Sequence, residues 1–202
     1  MAVALTTALP VQKGKIPIVG ILSYLFPRSE THKHQGIDFT KPIGTPVRSV
    51  TKGIVSDASD TLAKHFSGYG RFVQIEFTDP PLLPVWVLYA HLDTVQVKPG
   101  DVIEKGQQIG TVGRTCFNRT DPRKLCGGAH LHFEVRSKQY LPTENGRYDP
   151  VVFLAQHGEI SPVALMAIKK EENERDSQIN IVILGAVTAV IGYGLWYFLR
   201  KK

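Results

Sequence analysis

The stretch Gly128-Ala-His-Leu-His-Phe-Glu-Val-Arg136 decides the fold of this chain. From His130 onwards, polar and apolar residues alternate, which is typical of a β-strand with one face in the core. Residues two apart on a strand point to the same side, so His130 and His132 share one face, and Leu131 and Phe133 share the other. The pattern therefore predicts a strand that buries its apolar side chains and presents two imidazoles together.

Short segments of the same kind recur through residues 16–156. They alternate or are continuously apolar, and glycine or proline breaks separate them; examples are Thr45–Thr51, Ile54–Ser56, Arg71–Phe77 and Val85–Ala90. Short strands at regular spacing predict a mostly β domain with an antiparallel sheet. Over residues 157–178 we expect a helix or a charged linker, because Ser161-Pro162 can begin a helix and charged residues follow.

Two further motifs add chemically active side chains. His34-Gln-Gly-Ile-Asp38 places an imidazole and a carboxylate four residues apart, and Tyr89-Ala-His-Leu92 ends an apolar run on His91. With His130 and His132, the motifs offer four histidines and one carboxylate. Catalytic zinc sites use three such ligands and keep a position for water, whose pKa falls to about 7. The two remaining histidines are then available to move protons and to stabilise an oxyanion.

In combination, these motifs resemble the lysostaphin-type, or LytM-type, zinc endopeptidases that cut peptidoglycan. Four intervening segments also match the family's sequence, namely Gly44–Val47, Gly53–Val55, Gly68–Gly70 and Val97–Gly110, and so does Asp149-Pro150 near the end. The resemblance covers residues 16–156. It implies a mostly antiparallel β domain of the duplicated hybrid motif kind, with a groove for an extended peptide.

The resemblance also implies a role for each motif residue. His34, Asp38 and His132 would bind one Zn²⁺ per chain, while His91 and His130 would orient or deprotonate the water and stabilise the tetrahedral intermediate. The implied substrate is a peptide stem or cross-bridge of peptidoglycan. The alternative is a non-catalytic wall-binding or activator module on the same fold, which the complete set of ligands and histidines disfavours.

The two cysteines, Cys116 and Cys126, flank the insert Phe117–Leu125 ahead of His130. Two cysteines are too few for a disulfide scaffold or a four-cysteine zinc site. A disulfide that closes this loop is expected in an oxidising compartment. A reduced pair in a cytoplasmic protein is the alternative.

The C-terminal residues predict a membrane anchor. Residues 179–199 contain no charge, carry a cluster of aromatic residues near their end and are followed by Arg200-Lys-Lys202. Roughly 20 apolar residues suffice for a helix to cross a bilayer, and aromatic residues favour its interface. We expect a single-pass anchor in the bilayer, in which Gly185 and Ala189 favour pairing with a second helix.

The remaining features bear on location and partners. Residues 1–15 form an extension, and Ile16–Phe26 is expected to be a first strand rather than a signal peptide, because no small-residue cleavage site follows it. The net charge of +6 is explained either by general solubility or by attraction to an anionic polymer, such as cell wall, nucleic acid or a membrane surface. No nucleic-acid partner is expected, because the sequence carries none of the usual binding motifs. We expect a bacterial envelope or the internal membrane of a phage virion.

Overall fold

The structure, a computed structural model, describes residues 34–59, 68–77, 84–116, 125–137 and 146–157, together with 2–3, 16–17, 170 and 173–174. The chain divides into two compact units, Met1–Leu165 and Met166–Lys202. In the second unit, residues 170 and 173–174 are helical. Within the described ranges, no helix is long and apolar enough to cross a membrane, and the predicted span at 179–199 lies outside them.

The described residues of the first unit lie mainly in strands. They are β1 (Ala2–Val3), β2 (Ile16–Pro17), β3 (Ile37–Thr40), β4 (Pro46–Arg48), β5 (Gly53–Ser59), β6 (Arg71–Phe77), β7 (Val85–Val95), β8 (Val102–Ile103), β9 (Gln108–Thr115), β10 (Leu125–Arg136) and β11 (Arg147–Tyr148). Helix α1 (Pro150–Gln156) follows β11. The expectation of a mostly β, antiparallel domain is confirmed, and strand β6 coincides with the predicted segment 71–77.

Strand β10 pairs with more strands than any other strand of the sheet. The strand order is β11-β10-β9-β7-β6-β5-β8, with β3 paired to β10 and β4 paired to β9, while β1 pairs with β2. Strand β10 pairs antiparallel with β3, β7, β9 and β11 along its length. At His132 it has neighbours on both edges, Asp38 of β3 and Ala90 of β7. The three sequence motifs therefore meet at β10.

The apolar face of β10 lies in the core, as the alternation predicts. Leu131, Phe133 and Val135 are fully buried. The Phe133 ring meets the Tyr89 ring edge-on, with centroids 5.4 Å apart. The Tyr89 hydroxyl in turn accepts a hydrogen bond from the Val50 backbone at 2.9 Å, so the polar end of this buried ring has a partner. Each such side chain contributes roughly 1.5–3 kcal/mol on burial, and together they fix which face of β10 points outward.

Helix α1 was not among the predicted elements. Asp149 caps its N-terminus, because its carboxylate accepts hydrogen bonds from the backbone of Val151 at 2.8 Å and of Val152 at 3.3 Å. Pro150 occupies the first turn, where a missing N–H costs nothing. The helix is seven residues long, which is too short for its apolar periodicity to stand out in the sequence.

Strand β7 contains a β-bulge at His91. Arg71 pairs with Leu92 and Val73 pairs with Tyr89, so Ala90 and His91 together oppose a single residue of β6. His91 has φ 61°, a left-handed conformation that no other described non-glycine residue adopts. This conformation costs roughly 1–2 kcal/mol in a residue other than glycine. Bulges redirect side chains and are common beside active sites.

Gly36 allows the segment before β3 to lie directly against β10. A Cβ atom at this position would lie 2.3 Å from the Phe133 carbonyl oxygen and 2.9 Å from Cε1 of His132. No side chain fits there without moving one of the two segments apart.

We therefore predict that Gly36→Ala lowers the free energy of unfolding by about 1–3 kcal/mol and also weakens metal binding, because it displaces His34 from His132. Thermal unfolding and the metal content of the purified protein measure the two effects. Gly44→Asn is the control, since Gly44 has φ 86° with no atom within 4 Å of a built Cβ and asparagine tolerates positive φ. Equal behaviour of the two variants would contradict the prediction.

Candidate metal centre

The strand register brings the predicted ligands together. Asp38 of β3 lies directly opposite His132 of β10, so their side chains emerge on the same face. His34 precedes β3 by three residues, and its ring lies 4.9 Å from the His132 ring, measured between centroids. All three residues lie within one cluster whose ligand atoms are less than 4.8 Å apart.

The three ligand atoms form a small triangle. His34 Nε2 lies 3.0 Å from His132 Nδ1 and 3.2 Å from Asp38 Oδ1, and His132 Nδ1 lies 2.8 Å from the same oxygen. In a tetrahedral zinc site with bonds of about 2.0–2.1 Å, ligand atoms are about 3.3 Å apart. The triangle is thus slightly smaller than one face of such a tetrahedron, and it has the composition of a catalytic rather than a structural site.

The Asp38 carboxylate lies within hydrogen-bond distance of both imidazoles. Burial by itself would raise the pKa of Asp38, yet hydrogen bonds from His132 and His34 outweigh it and hold that pKa far below its usual range. Asp38 is therefore an anion that faces two imidazoles, which is the arrangement that a divalent cation completes.

Glu134 orients His132 from the other side. The Nε2–H of His132 donates to Glu134 Oε1 at 2.8 Å, so Nδ1 is the ring nitrogen that faces the triangle. Burial would lower the pKa of His132, but the hydrogen bonds to Asp38 and Glu134 raise it to about 9. A carboxylate behind a ligating histidine fixes the tautomer and makes the ligand more basic.

The Glu134 carboxylate is fully buried and surrounded by donors. Oε1 accepts from the Tyr69 hydroxyl at 2.6 Å, and Oε2 accepts from Arg136 Nε at 2.8 Å and Arg147 Nε at 3.2 Å. Burial raises the pKa of this carboxyl, but the His132 hydrogen bond and the charges of the two arginines, together with that of His132, lower it well below its usual range. Burial and the adjacent Glu134 charge raise the pKa of Tyr69, so its hydroxyl stays a donor.

The two remaining histidines, His91 and His130, lie in contact with each other beside the ligand triangle. Their ring centroids lie 4.7 Å apart, and the His91 centroid lies 5.7 Å from that of His132. His91 Nδ1–H donates to the Thr115 carbonyl at 2.8 Å, and His130 Nδ1–H donates to the Gly128 carbonyl at 2.7 Å. When either ring is neutral, its lone pair therefore lies on Nε2. His130 Nε2 lies 4.0 Å from Asp38 Oδ1, at the edge of the triangle.

His91 is nearly buried, with 8% of its surface exposed. Burial lowers its pKa to about 3, and the charges of His132 and His130 act in the same direction, while the bond to Thr115 and the Asp38 charge oppose them. The ring is therefore neutral at physiological pH.

The structure brings together all five residues that the sequence singled out for the site. Their assignment as three ligands and two catalytic histidines stays a prediction. Cys116 is disulfide-bonded, and Cys126 is the one other cysteine of the sequence. Sequence reasoning missed the roles of Glu134 and Tyr69; Glu134 belongs to the quoted His130 motif, and its same-face position two residues after His132 was the available signal.

Residues 32–149 match the model of Peptidase family M23. The match covers more than half of the chain, and the chain therefore belongs to Peptidase family M23.

Individual relatives agree with this assignment. Glycyl-glycine endopeptidase ALE-1 of Staphylococcus capitis is 32% identical over 62% of this chain and 30% of its own length. Lysostaphin of Staphylococcus simulans is 32% identical over 62% of this chain and 22% of its own. DD-carboxypeptidase/endopeptidase Mpg of Neisseria meningitidis is 37% identical over 51% of this chain and 20% of its own. The chain thus spans less than a third of the length of these curated relatives.

Among solved structures, that of LytU is similar to this chain, with a TM-score of 0.51 and 26% sequence identity. The similarity covers 78% of this chain and 90% of LytU. It supports the mostly β architecture described above.

We predict that Glu134→Gln weakens zinc binding about 10–100-fold, the usual effect of losing a carboxylate behind a ligating histidine. It also leaves Arg136 and Arg147 without their anion, which is expected to lower the free energy of unfolding by about 3–5 kcal/mol. Competition titration against a zinc-sensitive dye and thermal unfolding measure the two quantities. Glu104→Gln, at an exposed position, is the matched control. Unchanged zinc affinity in Glu134→Gln would show that Glu134 does not support His132.

Proposed function

We propose that this chain is a zinc metalloendopeptidase that hydrolyses peptide bonds in the stems or cross-bridges of peptidoglycan. The observation that carries the proposal is the triangle of His34 Nε2, Asp38 Oδ1 and His132 Nδ1 beside two histidines whose Nδ1 protons are held by backbone carbonyls. Membership of Peptidase family M23 supports the reaction class. The names of the relatives, a glycyl-glycine endopeptidase and a DD-carboxypeptidase/endopeptidase, support the substrate class.

The three ligands would hold Zn²⁺ through His34 Nε2, His132 Nδ1 and Asp38 Oδ1. When bound, the ion would polarise the scissile carbonyl and lower the pKa of bound water, so that hydroxide is available as the nucleophile at neutral pH. Two neutral nitrogens and one carboxylate leave a bound dication with a net positive charge, which suits the stabilisation of a developing oxyanion. Glu134 would keep His132 in the tautomer that this role requires.

His91 and His130 would handle the proton. The Nε2 atom of a neutral ring can accept a proton from the attacking water and return it to the amine of the leaving peptide. The Nδ1–H bonds to Thr115 and Gly128 hold each ring so that Nε2 is the basic atom. The reaction adds one water molecule across the peptide bond, and the products are a new carboxylate and a new amino terminus.

The rival hypothesis is a non-catalytic module that binds the wall or activates another enzyme. Such a module has no need for a basic Nε2 on two histidines beside the ligands. The presence of both, with their tautomers held, favours the enzyme.

We predict two classes of variant. His34→Ala, Asp38→Ala and His132→Ala each lose zinc and activity, because each removes a ligand. His91→Ala and His130→Ala retain zinc and lose turnover about 10²–10⁴-fold, the usual contribution of general acid–base catalysis. Zinc content is measured by elemental analysis, and turnover as new amino termini released from purified peptidoglycan, followed by mass analysis of the fragments.

The controls separate the enzyme from the binding module. Chelator must abolish release by the full-length protein, and added zinc must restore it, while Glu104→Gln behaves as the wild type. If the zinc-loaded, folded protein binds peptidoglycan but releases no amino termini, the binding module is correct. If all five variants lose zinc equally, the division into ligands and catalytic histidines fails.

We also propose that residues 179–199 anchor the peptidase in a membrane, either in a bacterial envelope or in the internal membrane of a phage virion. The support is the uncharged sequence of this segment and the Arg200-Lys-Lys202 that follows it. An anchor would restrict hydrolysis to wall within reach of the bilayer, and Gly185 with Ala189 would favour pairing of anchors.

The expected result is that the full chain sediments with membranes after a high-salt wash, whereas Gly185→Asp, which places a charge in the span, reduces this fraction. Protease added to intact cells or virions should remove the peptidase unit if it faces outward. Full-length protein that remains in the supernatant would exclude the anchor, and protection from protease would exclude the outward orientation.

A further inference from the structure

Thr115, the last residue of β9, is bound to both sides of the bulge at His91. Its carbonyl accepts the Nδ1–H of His91 at 2.8 Å, and its hydroxyl donates to the carbonyl of Leu92, the next residue, at 2.8 Å. The same hydroxyl oxygen accepts the backbone N–H of Arg71 on β6 at 2.9 Å. One residue thus links the ring of His91, the backbone that follows it and the strand opposite the bulge.

The position of the Thr115 carbonyl is also fixed from the other side. A Cβ atom on Gly70 would lie 2.4 Å from the Thr115 carbonyl carbon and oxygen, so the bare backbone of Gly70 packs against this peptide group. The backbone carbonyl of Tyr69, the residue before Gly70, accepts a hydrogen bond from the backbone N–H of His91 at 2.9 Å. Cys116, which follows Thr115, is disulfide-bonded. The carbonyl that orients His91 is therefore constrained on several sides.

The left-handed backbone of His91 needs such constraints. A non-glycine residue with positive φ persists only where its surroundings determine the conformation. In an unconstrained bulge, a return of His91 to negative φ would turn the ring away from His130 and from the ligand triangle. The hydroxyl of Thr115 holds the Leu92 end of the bulge, and its carbonyl holds the ring itself.

We propose that Thr115 is a positioning residue for His91. It fixes the left-handed bulge and the Nδ1–H tautomer together, so that Nε2 of His91 faces the metal centre. The inference rests on the proposed function, in which His91 acts on the water at this centre. In this role Thr115 acts through His91, by its hydrogen bonds to the ring and to the backbone beside it.

The test compares Thr115→Val with Thr115→Ser in the full-length, zinc-loaded protein. Valine keeps the shape and removes the hydroxyl, so the hydrogen bonds to Leu92 and Arg71 are lost; serine keeps them. We expect Thr115→Val to bind one zinc as the wild type does and to lose about 10–100-fold in kcat on purified peptidoglycan, with little change in KM, because a small misplacement of a catalytic group is this costly. We expect Thr115→Ser to restore kcat to within a few-fold of the wild type.

The matched control is Thr94→Val. Thr94 also connects β7 to β9 through its hydroxyl, which lies 2.8 Å from that of Thr111, but this pair is exposed, and the ring of His91 is hydrogen-bonded to Thr115 instead. We expect no change in kcat. If Thr115→Val does not fold, Thr115→Ala removes the same hydroxyl with less bulk and is used in its place.

A second readout does not depend on activity. Nitrogen-15 NMR of the imidazole rings reports which nitrogen of His91 carries the proton, with the His91→Ala spectrum providing the assignment. The wild type should show protonated Nδ1, and Thr115→Val should show a mixture of tautomers or an exchange-broadened signal. A kcat for Thr115→Val equal to that of the wild type, or an unchanged Nδ1–H signal, would overturn the proposal.

The two readouts separate the inference from the function on which it rests. If the wild type releases no amino termini from peptidoglycan, the proposed function fails, and the NMR comparison alone decides whether Thr115 positions His91. If the wild type is active and Thr115→Val is equally active, the positioning role fails while the peptidase stands. A loss of zinc in Thr115→Val and Thr115→Ala alike would also overturn the proposal, because it would make the effect structural.

Discussion

The buried carboxylate of Glu134 is the constraint on which the site depends. An ionised carboxyl group without contact to water is costly unless donors surround it, and here Tyr69, Arg136, Arg147 and His132 supply them. These donors come from β10 itself, from β11 and from the residues ahead of β6. Satisfying one charge therefore fixes three parts of the chain relative to His132, and the orientation of that ring follows from the same hydrogen bonds.

The charges around the centre are arranged in layers. Asp38 and Glu134 are anions on either side of His132, and Arg136 and Arg147 lie behind Glu134. The positive charges of the two arginines offset the negative charge of Glu134. Asp38 therefore remains as the anion that faces the proposed metal position. A dication bound there is consistent with the pattern, because it would replace the proton that His132 otherwise holds between two carboxylates.

Much of this arrangement follows from sequence pattern, and some of it does not. The alternation in β10 fixes which residues share a face, so the pairing of His130 with His132 and the burial of Phe133 could be predicted. The cross-strand position of Asp38 was expected from the family resemblance, since register between distant strands is not encoded locally. The bulge at His91 could not be predicted, because histidine does not ordinarily favour a positive φ. The hydrogen bonds to the carbonyls of Thr115 and Gly128 could not be predicted either, because every residue has a backbone carbonyl and the sequence does not show which one is used.

The acceptor behind each ring is what distinguishes the two kinds of histidine. His132 donates to a carboxylate, which makes its Nδ1 a better ligand and raises its pKa to about 9 in the metal-free chain. His91 donates to a neutral carbonyl in a buried position, and burial lowers its pKa to about 3. The first environment stabilises a positive charge at the ring, whether a proton or a metal ion supplies it, whereas the second keeps the ring neutral with its lone pair on Nε2. Because two neighbouring cationic rings would repel each other and a bound metal ion, a site with four histidines in contact needs both environments. In this chain, side-chain carboxylates hold the ligand and backbone carbonyls hold the histidines beside it.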